Sequence, residues 1–600
     1  MGILQAAYRT YETQIHRAGV AQEGKETLTP VSHMVQNAQI EITISDDGVF
    51  QSAMPVPRED NKTVIPATTE SANRTGNNTK AHPLCDQLRY LAPYDAEKFA
   101  VYTAQLSQWA NSPYTHPKVK AILHYVQGGT IVSDLAAVGV ISMEEAGIPG
   151  AGKIEGSEYE KCMVRWRVIP APVGESSACW QDVSLFDSFA AFYKDACSKM
   201  EQDICFISGQ KDVFCKIHPK GIFRTKDAAN AKLISANDNS GFTYRGRFTQ
   251  ARQAASIGYT ASQKAHNALR WVVANESVTL GERIFLCWNP EGSPVPLFAF
   301  LGMPNTEPKN FIGYQQELLA TLTGYRQKLK PEADVVIAAL DAATKGRLSV
   351  TYYNELKGSD FLNRLEEWYT TCCWQSAQYG VQSPSLKHIV TCAFGTEQKK
   401  IIEADEGVLR EHIQTMLHCL VDKQPIPRDI VAALVTRANM PLAYTPQNRE
   451  NVLTTTCAIV RKYRNDRAKK EEWLLALDTS NTNRSYLFGR LLAVAEQAER
   501  STYDVSEGRE TNAIRMQTVF AQRPLYAWRI LCEQLNPYFA RMKPGLRAYF
   551  KNNIGEITDK LPPVDDPSLD KKLEDIYLIG YYHQRTALTH KKEIITTEEK

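Results

Sequence analysis

The sequence predicts an α+β protein, with one or more mixed α/β domains at the N-terminal end, a mainly helical middle and a C-terminal helical bundle. Three observations carry this reading. Ile40-Glu-Ile-Thr-Ile44 alternates apolar and polar residues, and Ser45-Asp-Asp-Gly48 then turns the chain into Val49-Phe50, which is a β-hairpin signal. From about Asn310 the character changes to long helical patterns with few strand signals. Prolines at 524, 537, 544 and 562–563 cut the last part of the chain into helix-length pieces.

In chain order, residues 1–310 form the mixed α/β region. Within it Glu59–Lys80 is almost purely polar, rich in Thr and Asn, and reads as one long loop of the kind that is usually functional or disordered. Ser262 is placed to cap a helix whose apolar stripe is Ala265, Ala268, Leu269, Val272 and Val273. Residues 311–473 form the helical middle, and its end, Arg461–Glu472, is a charged run that reads as a solvated connector. Residues 474–600 form the bundle. Leu487, Leu491, Val494 and Ala498 make a stripe after Asn483; Leu546, Tyr549, Phe550 and Ile557 make another after Pro544; Leu573, Ile576, Tyr577 and Gly580 make a third.

Six hundred residues, 43% of them hydrophobic, supply ample core for several domains. No window approaches eighteen apolar residues and the N-terminal segment is too polar for a signal peptide, so a cytoplasmic protein without membrane contact is expected. The thirteen cysteines contain no Cys-x-x-Cys pair, which argues against zinc and disulfide frameworks and for a reducing compartment.

The net charge of +2 conceals a strong segregation. Between Lys211 and Asn275, eleven cations (Lys211, Lys216, Lys220, Arg224, Lys226, Lys232, Arg245, Arg247, Arg252, Lys264, Arg270) face three acids, a local excess of +8. Phe242, Tyr244, Phe248, Tyr259 and Trp271 are threaded through it. Fixed cations attract phosphates and release counterions, and aromatic faces stack on unpaired bases, so the region reads as a nucleic-acid site. A plain basic surface is the alternative. At 100° per residue Gln263, Lys264, Asn267, Arg270 and Trp271 share the helix face opposite the apolar stripe, where a tryptophan is hard to explain as core. A second basic stretch, Arg509–Lys551, holds eight cations (among them Arg515, Arg523, Arg529 and Arg547) against two acids. Two such regions suggest a protein that follows a nucleic acid at two places.

Catalytic signals are weak. Gly147-Ile-Pro-Gly-Ala-Gly152-Lys153-Ile154 matches a phosphate-binding loop until its last position, where the magnesium-binding hydroxyl is replaced by Ile154. None of the twelve histidines is followed by Asp, and no His-x-x-x-His pair occurs. The expectation is a protein without covalent chemistry, metal or cofactor.

The combination Pro66…Asn73-Arg74-Thr75-Gly76…His82-Pro83-Leu84-Cys85-Asp86-Gln87, Ser240-Gly241-Phe242…Arg247-Phe248, and Ser262-Gln263-Lys264-Ala265-His266-Asn267-Ala268-Leu269-Arg270-Trp271 resembles the large subunit of the type I-C CRISPR Cascade complex. Tyr352-Tyr353-Asn354-Glu355-Leu356, Trp368…Cys372…Trp374 and Gly580-Tyr581-Tyr582-His583-Gln584-Arg585 extend the resemblance to the whole chain. It implies a non-catalytic subunit of an RNA-guided complex, placed at the 5′ end of the guide crRNA beside the Cas-five and Cas-seven backbone subunits. It further implies that the N-terminal part reads the target-flanking motif (the PAM) on double-stranded DNA, that the R-loop with its displaced strand is stabilised, and that the Cas-three helicase-nuclease is recruited. The family is also known for a small subunit made from the C-terminal region of the same message, here from near Leu474. In such complexes base pairing supplies the sequence information and the protein supplies a short base reader and a grip on backbone. Asn73, Arg74, Thr75 and Lys80 suit the reader, since Asn and Arg make bidentate contacts to base edges; closing the loop is the alternative task for Arg74. The two basic regions suit the grip. A stand-alone nucleic-acid-binding regulator and a nuclease component are the competing classes.

Overall fold

A computed structural model describes the chain except residues 1, 21–25, 75–78, 145–146, 236–246, 298–301, 303–309, 377–379, 468–471, 505–507 and 599–600. It is about 50% helical and 17% strand, with small sheets toward the N-terminus and a helical C-terminal region, the α+β class expected. The chain divides into two compact units. One holds Met1–Pro294 and Asp334–Glu355, the other Val295–Ala333 and Leu356–Lys600.

In the first unit the hairpin forms where the alternation places it. Strand Ile40–Ser45 pairs antiparallel with Phe50–Pro55, from Ile40 opposite Pro55 to Ile44 opposite Phe50. Its other edge takes a parallel partner, Val164–Ile169. Ile40, Ile42 and Ile44 are fully buried with Trp166, Trp109 and Tyr102, which is what a period-two pattern produces when one face meets a core. Helices Ala96–Ala110, Pro117–Gln127 and Val183–Cys197 contribute to that core.

A second core lies between helix Ile3–Thr13, helix Tyr259–Asn275 and a four-stranded antiparallel sheet in chain order: Ser277–Leu280, Arg283–Trp288, Asp334–Thr344 and Arg347–Lys357. The last two strands fall in the region expected to be mainly helical, with few strand signals. Val335–Leu340 is a continuous apolar run, and periodicity cannot distinguish such a run from a buried helix segment.

Three further expectations are corrected. The polar stretch 59–80 is not one loop: Lys62–Pro66 is a strand paired with His33–Asn37, and Thr69–Ala72 is a helical turn capped by Thr68. The β-branched Thr63, Val64 and Ile65 outweigh the polar composition around them, and all three are buried. The helix expected to be capped by Ser262 begins four residues earlier, at Tyr259 with Gly258 as its cap, and Ser262 is a buried partner of His218 Nδ1 at 2.8 Å. The charged run from Arg461 is not a solvated connector. Its part 461–467 is the end of a 22-residue helix, Pro446–Arg467, in which Arg461 donates to Trp473 O at 2.8 Å and Lys462 to Thr371 Oγ1 at 3.1 Å, while 468–471 lie outside the described residues.

In the second unit helix Arg484–Arg500 is capped by Asn483, whose side chain accepts from Ser485 and Tyr486 N. It is buried almost throughout and contacts Asn512–Gln522, Pro524–Arg541, Pro544–Thr558 and Tyr577–Glu598. Leu573 and Ile576 are buried as expected but precede the last helix, which starts at Tyr577.

Candidate nucleic-acid interface

The first unit contains a cleft of about 640 Å³. One wall is the strand pair His33–Asn37 and Lys62–Pro66, with Asn73 at the end of the short helix Thr69–Ala72. Another is the segment Ile217–Arg224, and a third is the face of helix Tyr259–Asn275 that presents Gln263, Arg270 and Trp271. Asn73 and the basic region lie far apart in sequence and share this cavity.

The electrostatics are one-sided. Among the described residues the lining carries Lys62, Lys220, Arg224 and Arg270 against a single acid, Glu26, which is bonded to Lys62. Arg270 has no carboxylate within ion-pair distance among the described residues. It donates instead to Lys220 O at 2.6 Å, Gly221 O at 3.2 Å and Asn267 Oδ1 at 2.8 Å. Burial, then repulsion from Arg224, lowers its pKa to about 10, so the guanidinium still carries its charge at neutral pH. Burial and the neighbouring Lys220 lower Lys232 in the same way. Burial and mutual repulsion both make the charged state of these groups more costly, and an anion placed beside them would offset that cost.

Asn73 donates from its side-chain amide to Thr69 O at 2.8 Å and is among the residues lining the cleft. Arg74 is turned inward: its two terminal nitrogens reach both oxygens of buried Asp86, it donates to Lys80 O at 3.0 Å, and it lies over the Tyr90 ring. Lys80 is exposed. Lys264 is held by Glu12 at 2.5 Å, close to the Tyr8 and Tyr11 rings. Asn267 is buried and donates to Thr29 and Pro30 O.

Trp271 is 8% exposed and belongs to the second core, which corrects the expectation of a wet helix face. On this face Asn267 and Arg270 bind neighbouring backbone carbonyls, and Lys264 pairs with the Glu12 carboxylate. Lys211, Lys216, Arg247 and Arg252 are exposed, with Arg252 paired to Glu201 at 3.1 Å. Thr75 and Arg245 lie outside the described residues.

Composition had not pointed to Lys62, His33 or the strand pair that closes the cleft. The Lys62-Thr-Val-Ile run was the available signal.

A family model described as CRISPR-associated protein (Cas_Csd1) matches residues 8–589. The chain belongs to that family. This membership supports its assignment as a type I-C Cascade large subunit. A comparison with curated proteins found no match.

In this Csd1-family chain the bundle cations Arg515, Arg523 and Arg529 are exposed, Arg523 pairing with Asp570 at 3.0 Å, and Arg547 is half-buried. The glycine stretch 147–154 does not follow a strand or open a helix; Met143 bridges Pro149, and Lys153–Ile154 turns into Ser157–Glu158. One group among the described residues has the spacing of a metal site, His116 with Glu175 and Asp182. The buried ammonium of Lys118 already occupies its centre, 3.1 Å from Glu175, 2.9 Å from Ser176 O and bonded to Asp182. No helix among the described residues is long and apolar enough to cross a membrane.

Proposed function

We propose that this chain is the non-catalytic large subunit of an RNA-guided surveillance complex and that its cleft grips the phosphate backbone of the target beside the PAM. The observation that carries the reading is the set Lys220, Arg224 and Arg270, none of which has a carboxylate partner among the described residues, around a cavity whose one described acid, Glu26, is already bonded. Phosphates supply the missing charge, and Asn73 on the same cavity supplies an amide able to pair with a base edge. Arg74 supports the reader by closing its loop on Asp86 rather than by touching DNA. The exposed cations of the bundle give a second, sequence-independent hold on unpaired strand.

The family membership supports the partners: guide crRNA, the Cas-five and Cas-seven subunits, target DNA and the Cas-three helicase-nuclease. A small subunit produced from near Leu474 completes the reading, and intact mass spectrometry of the assembled complex tests it.

The cleft is tested by removing Lys220 and Arg224 together and measuring binding of the assembled complex to target duplex across salt. Each lost phosphate contact flattens the slope of log K against log salt by about 0.9, so about 1.8 is expected. Asn73→Ala is expected to reduce discrimination between PAM-bearing and PAM-less duplex by about 1–3 kcal/mol. An unchanged slope overturns the backbone assignment.

A further inference from the structure

Residues 202–213 form a hairpin, Gln202–Ile204 against Lys211–Val213, with Ile204 opposite Lys211. Its tip is rigidly held. Cys205 N donates to Gln210 O at 2.9 Å, and Gly209, at φ +69°, turns the chain back to Cys205 O at 2.8 Å. Ser256 ties the tip to the body twice: its carbonyl accepts from Phe206 N at 2.7 Å, and its hydroxyl donates to Ile204 O at 2.8 Å.

The side chains then alternate. Cys205 and Ile207 point into a small core with Ile257 and Ala261. Ile204 and Phe206 point out and are 61% and 57% exposed. The acids of the hairpin do not share that outward face with Lys211. Asp212 is turned to the body, where it accepts from Thr260 N at 3.0 Å, and Asp203 is its cross-strand partner.

An exposed aromatic ring on a hydrogen-bonded hairpin tip, on the same outward side as Lys211, which has no acidic partner among the described residues, suits a flat apolar partner that carries negative charge. An unpaired nucleobase with its phosphate is that partner. The hairpin also meets helix Tyr259–Asn275 at its first turn, through Asp212 and Thr260, and the same helix carries Arg270 into the cleft. At 1.5 Å per residue the two points are ~15 Å apart along the axis. That is roughly four backbone spacings of a DNA strand. We propose that Phe206 is a stacking platform for an unpaired base of the DNA strand that leaves the cleft, with Lys211 on the adjoining phosphate. The proposal rests on the cleft reading above.

The test uses the full-length chain and three probes of one sequence: a single-stranded DNA 15-mer carrying a fluorescent 2-aminopurine, the same sequence as RNA, and the DNA duplex. Stacking quenches the fluorophore, so Phe206→Ala is expected to abolish the quench and weaken single-stranded DNA binding about 5- to 100-fold. Duplex binding should stay within about twofold, and Phe206→Trp should retain both quench and affinity. Lys220→Ala with Arg224→Ala should weaken duplex and single strand together. If only this double variant shows an effect, the stacking proposal fails and the cleft reading stands; if neither variant does, both fail. Loss confined to the RNA probe overturns the DNA assignment. Intact DNA binding with loss of co-purifying Cas subunits reassigns the face to a protein contact.

Discussion

Arg74 and Asp86 form a two-pronged ion pair, 2.7 and 2.8 Å long, in which the carboxylate is wholly buried and the guanidinium side chain is 13% exposed. Asp86 also accepts from His82 N at 2.6 Å and Gln87 N at 2.7 Å, so one carboxylate fastens both ends of the segment that contains residues 75–78. Removing one partner of such a pair leaves a buried charge alone. Arg74→Ala should lower unfolding free energy by about 3–5 kcal/mol, read from urea denaturation, and Arg74→Lys should not rescue it because a single ammonium cannot bridge both oxygens. The exposed Arg224→Ala should change stability by less than about 0.5 kcal/mol. An Arg74→Ala protein of full stability that has lost PAM discrimination would return Arg74 to the base-reading role.

Gly489 and Gly580 set the closest approach in the second unit. A Cβ added at Gly489 would stand 1.9 Å from Tyr577 O, and one at Gly580 would stand 2.2 Å from Tyr486 O. Both obstacles are backbone of the facing helix, which no rotamer change removes. Either Gly→Ala change should therefore destabilise by more than about 3 kcal/mol, and the thermal transition of the second unit should show it. Gly545→Ala, with open space around it, serves as the control.

Five buried histidines make the protein acid-sensitive. Burial pushes His33, His82, His218 and His583 down to about 4 and His266 to about 3. Each is neutral in the folded chain, whereas the unfolded chain takes up a proton below about 6.5. The stability is present above that pH and is lost as pH falls toward 4. Between pH 7 and pH 5 the loss should be about 2 kcal/mol per histidine, seen as a falling urea midpoint. A midpoint that does not move between these pH values would mean that the rings are protonated in the fold.

Glu450 binds two residues of the last helix, Tyr582 at 2.8 Å and Arg585, and Asn439 bonds Tyr577. Arg449 pairs with Glu510 at 2.7 Å. All three acceptors or donors precede Leu474, so a product starting there loses them. Glu450→Gln in the full chain is expected to cost about 3 kcal/mol by leaving Arg585 without its anion. Residues 474–600 expressed alone should melt well below the full chain, and equal melting temperatures would make those bonds dispensable.

The sequence made some of this legible and not the rest, for local reasons. Alternation over Ile40–Ile44 and the stripe Leu487–Ala498 were readable because one element buries one face. Strand Lys62–Pro66 was hidden by polar neighbours, and Asp334–Thr344 by an apolar run with no period. For the interface, charge counting found Lys220, Arg224 and Arg270 and the reading of the polar stretch found Asn73. Neither could separate cations that face the cleft from those that face inward. Lys264 meets Glu12, some 250 positions away, and Arg74 meets Asp86; such pairings exist only once the chain has folded.

The four-stranded sheet imposes an order on biosynthesis. All six residues of Arg283–Trp288 are buried in the finished protein, yet their inner neighbour Asp334–Thr344 is translated only after residues 295–333, which belong to the other unit in the finished fold. Until the ribosome has passed residue 355, the emerging N-terminal half therefore holds an apolar strand with an unpaired edge, the feature that invites pairing with another nascent chain. A shortened N-terminal half that stops near residue 310 keeps that edge open permanently. One that grafts 334–355 back after a short linker closes it.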